Sequence, residues 1–251
     1  MSVPYGSPLQ VGIALAILAL VTLVVMTVTG IRQRLDFLGA AVRSIVQLIL
    51  VALVVAWVFL HPAGALLYLA VMLVAATATS MRRIGLARRR FPVVLAAIAA
   101  GVVIAVSPVM LSGALPLEAR TLLPFTAQII GGSMTAVSLT GSRFRDDVAA
   151  QWDILEGYLA LGANPRQATA AAGRRAAERS LIPSLDQTRS AGLVVLPGAF
   201  VGMLLGGATP AQAAQVQLLV LFALIAANVC ASTALAWLLG PEFGRQRPVS
   251  L

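Results

Sequence analysis

The chain has 251 residues, of which 59% are apolar and only 11% charged, and its mean hydropathy is +0.93. Ordinary soluble domains are about 45–50% apolar, so a soluble globular protein is excluded. All 18 basic residues are Arg, set against 9 acidic ones. Without a single Lys the Gly-x-x-x-x-Gly-Lys phosphate loop cannot exist, and ATP hydrolysis through that loop is excluded.

In chain order, Met1 to Gln10 carries no basic residue ahead of the first apolar run. It lacks the charged start of a secretory signal, and the first hydrophobic segment is expected to remain in the protein. A hydrocarbon core takes about 20 apolar residues per helix. The apolar runs predict seven spans near 9–29, 38–60, 63–80, 92–111, 122–140, 190–207 and 213–239. This is one all-α polytopic membrane domain over 1–251, with 141–189 as a helical cytoplasmic insertion. Arg43 and Gln47 fall in the first turns of the second span, where a long Arg snorkels to the interface. With the N-terminus outside, the pieces 30–37, 81–91, 141–189 and the tail after Gly240 lie inside, with Arg43 at the inner end of its span. Every arginine except Arg120 is then inside, as the positive-inside rule requires, giving an N-out, C-in topology. Arginines clustered between apolar runs orient helices in a lipid bilayer and exclude nucleic acid as the partner. One Cys (Cys230) and one His (His61) build neither a disulfide nor a zinc site.

The insertion is patterned. Asp146 and Asp147 favour a helix start. Trp152, Leu155, Tyr158, Leu159 and Gly162 then share one face, opposite Asp153, Glu156 and Gly157. The helix is expected to stop at Gly162-Ala163-Asn164-Pro165, with Asn164 capping and Pro165 opening a second helix. Arg174, Arg175 and Arg179 suit that helix's negative end. Two readings stay open: a surface segment drawn to anionic lipid, or a stripe that docks into a groove on a cytoplasmic partner.

Polar residues inside the predicted spans are Gln47, Gln128, Ser133, Thr135, Ser138, Gln217 and Asn228. Each either hydrogen-bonds between helices or lines a translocation path. No Asp or Glu falls within a predicted span, so these residues assemble no hard-cation site, and the metal ligands, if any, are unknown. Met72, Met110, Met134 and Met203 read as packing residues rather than copper(I) donors. Gly198, Gly202 and Gly206 repeat every four residues behind Pro197, giving either a close-packed face or a sliding surface with a hinge. An intramembrane hydrolase built on Ser133 and His61 needs the two within hydrogen-bond reach. His61 at the outer end of its span and Ser133 several turns inside another argue against it.

The segment Leu155-Glu156-Gly157-Tyr158-Leu159-Ala160-Leu161-Gly162-Ala163-Asn164-Pro165-Arg166-Gln167-Ala168 resembles the coupling helix of ABC transporter permeases, with a Glu six positions ahead of a Gly. The stretch from Leu181 to Pro210, including Pro183-Ser184-Leu185-Asp186-Gln187-Thr188-Arg189 and Leu196-Pro197-Gly198-Ala199-Phe200, is similar to the FetB (YbbM) family of iron-export ABC permeases. That family in turn resembles plant permeases linked to aluminium tolerance. Gln128-Ile129-Ile130-Gly131-Gly132-Ser133-Met134-Thr135 matches the family's Ile-Gly-Asn-Ser-Met-Thr segment, with Gly132 where the family carries Asn. The resemblance implies a homodimeric permease subunit in the inner (plasma) membrane, moving iron or another metal or small solute. It implies no cofactor on this chain and ATP-Mg on a partner ATPase, which docks on Trp152, Leu155, Glu156, Leu159, Gly162 and Arg166. The alternative is a stand-alone secondary transporter or membrane receptor whose insertion binds lipid or a regulator.

Overall fold

A computed structural model describes residues 7–61 and 64–245; the expected turn at Pro62 and the inner-side Arg247 lie outside the described residues. The described chain is helical, and its only β feature is an isolated bridge between Ala191 and Val195. It divides into two compact units, 1–61 and 62–251.

The first unit holds α1 (Pro8–Val28) and α2 (Arg34–Leu60). A reciprocal cap starts α1: Gln10 N–H donates to Ser7 Oγ at 3.4 Å and Ser7 N–H to Gln10 Oε1 at 2.8 Å, satisfying two of the donors that a helix start leaves free. Gly30, at φ +72°, turns the chain between the two helices, a conformation that costs a side-chain-bearing residue about 1–2 kcal/mol.

The second unit contains α3 (Gly64–Ile84), a 3-10 turn at Arg88–Arg90, α4 (Phe91–Leu111), α5 (Ala119–Ala150), α6 (Trp152–Ala160), α7 (Pro165–Ser190), α8 (Gly198–Leu205) and α9 (Pro210–Phe243). Its core forms where α4, α5, α7 and α9 meet, around Ile98, Val137, Phe144, Leu235 and Leu239. A second cluster joins α4, α5 and α9 around Val109, Phe125, Ile129, Val220 and Leu224. Small residues set the spacing. A Cβ on Gly101 would stand 2.5 Å from the Ala227 carbonyl oxygen, and one on Gly141 would collide with Ile84. Along α7, Ala168, Thr169, Ala172, Gly173, Ala176, Ala177 and Ser180 are buried, a small-residue stripe that lets α9 approach closely.

Among the described residues six helices, rather than seven, are long and apolar enough to cross a membrane: α1, α2, α3, α4, α5 and α9. The expected span at 190–207 is not a continuous helix. Gly192 takes φ +84°, Pro197 precedes α8, and the eight residues of α8 reach only about 12 Å of a core about 30 Å thick. Nor is 165–190 detached from the bundle. Thr169 Oγ1 donates to the Gly240 carbonyl at 3.2 Å, Ser180 and Ser232 hydroxyls meet at 3.0 Å, and Asn228 Nδ2 donates to Ser184 Oγ at 2.6 Å. Each step forward along α7 is thus matched by a similar step back along α9, and α8 then packs on α9 in its turn. In place of the expected sixth span the chain has the second half of α7, the turns at 191–197, and α8. Hydropathy hid this because the exposed face of α7 is polar while its buried face is alanine.

The arginine-rich ends of this unit are tied together. Arg90 Nε lies 2.5 Å from Glu242 Oε2, Arg145 donates to the Ile84 carbonyl at 2.7 Å, Arg175 donates to Gln151 at 2.8 Å, and Arg179 pairs with Asp147 at 3.2 Å. Pro183 has no N–H, which leaves the Arg179 carbonyl without its helical partner. Arg143 donates to that carbonyl and pins α5 to α7.

Candidate functional site

Two features stand out: a polar cavity deep in the second unit, and an apolar surface on α6 at its arginine-rich end.

The cavity, about 290 Å³, is lined by Gln128, Gly131, Gly132, Thr135 and Ala136 of α5, Ser180, Pro183, Ser184 and Gln187 of α7, and Leu224 and Asn228 of α9. Asn228 and Ser180 form a buried floor, while Gln128, Thr135, Pro183 and Gln187 form an exposed rim. Asn228 lies about 18 Å in from Gly240 along α9 at a helical rise of 1.5 Å per residue. Its amide nitrogen is held by Ser184, but its buried Oδ1 has no protein partner. Gly132 lets Leu224 pack close to α5: a Cβ there would collide with a Leu224 methyl and stand 3.4 Å from Oδ1. The Thr135 hydroxyl donates to the Gly131 carbonyl at 3.1 Å.

The structure therefore brings together three of the seven polar residues singled out in the spans: Gln128, Thr135 and Asn228. Ser138 is satisfied within the bundle, its hydroxyl lying 2.7 Å from the Met134 carbonyl, to which it donates, and 3.1 Å from Ser80 Oγ. Ser133 is wholly buried and unpartnered, and Gln217 is buried with both amide atoms unpartnered. Gln47 is an exposed residue of α2 in the first unit. A wholly buried Ser133 hydroxyl has no position from which to attack a substrate, and His61 stacks on Trp57 with ring centroids 5.0 Å apart. Met72 and Met134 pack on the main core and Met110 on the second cluster. The described residues contain no cluster of three His, Cys, Asp or Glu side chains. Gly198 and Gly202 face open space, and a Cβ on Gly206 would meet only its own helix. Ser180, Pro183, Ser184 and Gln187 were not legible as cavity residues because their polar surroundings placed them outside. The signal that locates them is the small-residue stripe at 168–180, with the same fourfold spacing that membrane helices use to pack.

At the opposite end of α7, Asn164 and Gln167 form a reciprocal cap with both bonds at 2.9 Å, and Pro165 opens the helix, as the sequence predicts. Gly162 ends α6 at φ +92°, and the Ala163 N–H reaches back to the Tyr158 carbonyl at 3.0 Å. This closes a glycine C-cap. Leu155 is buried, Trp152 packs against the main core and Leu159 is half-buried, so the stripe expected to dock outward is partly engaged with the chain itself. Arg166 stacks 3.9 Å above the Trp237 ring. The outward apolar residues are Ile154, Tyr158 and Leu161, at 59%, 53% and 87% exposure, beside exposed Asp153 and Glu156.

Comparison with known proteins gives a consistent set of relatives. The family described as "Uncharacterised protein family (UPF0014)" matches residues 8–243. Protein ALUMINUM SENSITIVE 3 of Arabidopsis thaliana is 32% identical over 232 residues, covering 90% of this chain and 85% of its own length. The UPF0014 membrane protein STAR2 of Oryza sativa subsp. japonica is 31% identical over 210 residues, covering 83% and 74%. "Probable iron export permease protein FetB" of Escherichia coli (strain K12) is 30% identical over 214 residues, covering 83% of each chain. No solved structure matches.

Proposed function

This chain belongs to the UPF0014 family of multi-pass membrane proteins, and from that premise we propose that it is the permease subunit of an ABC-type transporter in the inner (plasma) membrane. It works as a homodimer with a separate ATPase that binds ATP-Mg, and it exports iron, another metal or a small solute. The relative whose printed name specifies an iron export permease supports the cargo and its direction.

The observation that carries the reading is the continuity between α6 and the cavity. The exposed triad Ile154, Tyr158 and Leu161, with Asp153 and Glu156 beside it, suits an apolar groove on a soluble partner with basic groups at its edge. The capped elbow at Gly162–Pro165 joins this surface to α7, and α7 carries Ser184 into the cavity wall. A partner that moves α6 therefore moves the cavity, with no intervening flexible loop.

The test is to tag the chain, extract it gently from native membranes and identify what co-purifies. An ATPase with the phosphate loop missing here is expected; a solitary chain that moves cargo under an ion gradient would overturn the reading. Glu156→Arg combined with Tyr158→Asp should abolish stimulation of ATP hydrolysis in the reconstituted complex while the permease keeps its thermal melting point.

A further inference from the structure

We infer that the cavity between α5, α7 and α9 binds an uncharged, hydrogen-bonding guest, either a metal enclosed in a neutral chelate or a small organic solute, and does not bind a bare metal ion. Its place in transport rests on the permease reading; the binding itself does not.

The donor set argues first. The polar side chains of the lining are amides and hydroxyls, from Gln128, Thr135, Ser180, Ser184, Gln187 and Asn228, with no carboxylate, imidazole or thiol among them. Hard cations are held by anionic and carbonyl oxygens arranged around them, and an ion of charge +2 or +3 stripped of water without a counter-charge is strongly disfavoured. A guest that arrives neutral avoids that penalty.

The second observation is the orphan acceptor. Asn228 is 3% exposed. Its Nδ2 is committed to Ser184 Oγ at 2.6 Å, which fixes the amide with Oδ1 unpartnered in the cavity wall. Buried acceptors are nearly always paired, so this oxygen marks where a guest places an N–H or O–H. The amides of Gln128 and Gln187 at the rim supply donors for its acceptors. A volume of about 290 Å³ lies at the small end of small-molecule pockets.

The experiment uses the full-length chain in lipid nanodiscs, with Cys230→Ser removing the native thiol and Gly131→Cys placing a reporter in the cavity lining, where an added side chain meets no neighbour. The rate of maleimide labelling is read with three probes: tris(acetohydroxamato)iron(III), which is neutral and carries N–H donors; metal-free acetohydroxamic acid; and ferrous ion alone under anaerobic conditions. The neutral chelate or the free hydroxamic acid should slow labelling at least fivefold, and ferrous ion should not. Protection at a lower concentration of chelate than of free acid identifies the chelate as guest; equal protection identifies the organic solute. Asn228→Leu, which removes the acceptor, should abolish protection, and Gln128→Leu at the exposed rim, which removes a donor, should weaken it, while the labelling rate without probe and the melting point stay within the parent range. Protection by ferrous ion, or by none of the three, overturns the inference. Labelling needs no ATPase, so a chain that binds the chelate yet co-purifies with no ATPase loses the permease reading and keeps this one.

Discussion

Gly101 and Gly202 look alike in the sequence, each in an apolar helix, yet they do different work. At Gly101 the α4 and α9 backbones touch, with the Ala227 carbonyl 2.5 Å from where a Cβ would sit; at Gly202 the same position faces open space. Overpacking a tight contact costs about 1–3 kcal/mol or more. Gly101→Val should therefore lower the melting temperature of the purified chain clearly, while Gly202→Val leaves the isolated subunit's melting unchanged; equal losses would mean the α4–α9 contact is not the tight one. The sequence marks a glycine face by its spacing but not what lies across from it, which is why the 198/202/206 repeat was legible and the more consequential Gly101, Gly132 and Gly141 contacts were not. The same holds for the polar set. Gln128, Thr135 and Asn228 could be listed as intramembrane polar groups, but their convergence, and the satisfied state of Ser138, depend on how α5 and α9 are rotated about their axes.

Among the elements, α6 separates two faces that hydropathy alone merges. Leu155 is 3% exposed and sits in the main core, whereas Ile154 is 59% exposed. A Leu155→Asp chain should lose resistance to limited proteolysis near 141–165, because a charge buried without a partner is strongly destabilising. Ile154→Asp should leave the protease pattern intact and weaken ATPase association in pull-down. The helix and its cap were readable from the Gly-Ala-Asn-Pro signal and the three- and four-residue spacing. Which half of the apolar residues the chain keeps for itself was not, since both halves share the period. Pro183 in α7 makes a comparable point. Pro183→Ala restores an N–H that competes with Arg143 for the Arg179 carbonyl, so the link between α5 and α7 should loosen, seen as faster amide exchange over 140–147.

For the second unit as a whole, the arginine-rich contacts gather Ile84, Arg90, Arg145, Gln151, Arg175 and Glu242 at one end. The loops at 112–118 and 206–209 lie at the far ends of α4 and α9. Cysteines at Ala87 and Asp153 should react with an impermeant maleimide from one side of the membrane only, and cysteines at Ala114 and Ala208 from the other; labelling of Ala208→Cys from the same side as Ala87→Cys would mean that α7 and α8 do not complete a passage. The asymmetry of arginines is what predicts the sidedness from sequence, and this labelling is its test. The break at 190–207 escaped because its glycines and Pro197 lie within an apolar run, where hydropathy does not register a turn.

The helix between the elbow and the cavity, missing only the ladder bond that Pro183 removes, is long enough to act as a lever arm. Ser184 stands about 28 Å from Pro165 along α7, so a tilt of about 3° at the capped end sweeps Ser184 sideways by about 1.5 Å. Directed straight away from Asn228, that displacement lengthens the Asn228–Ser184 hydrogen bond from 2.6 Å past the limit of about 3.2 Å, whereas directed across the bond it leaves it intact. A small rotation at the fulcrum in the first direction thus frees the amide of Asn228 at the far end, and the ratio of those displacements is set by the number of residues between a proline and a serine.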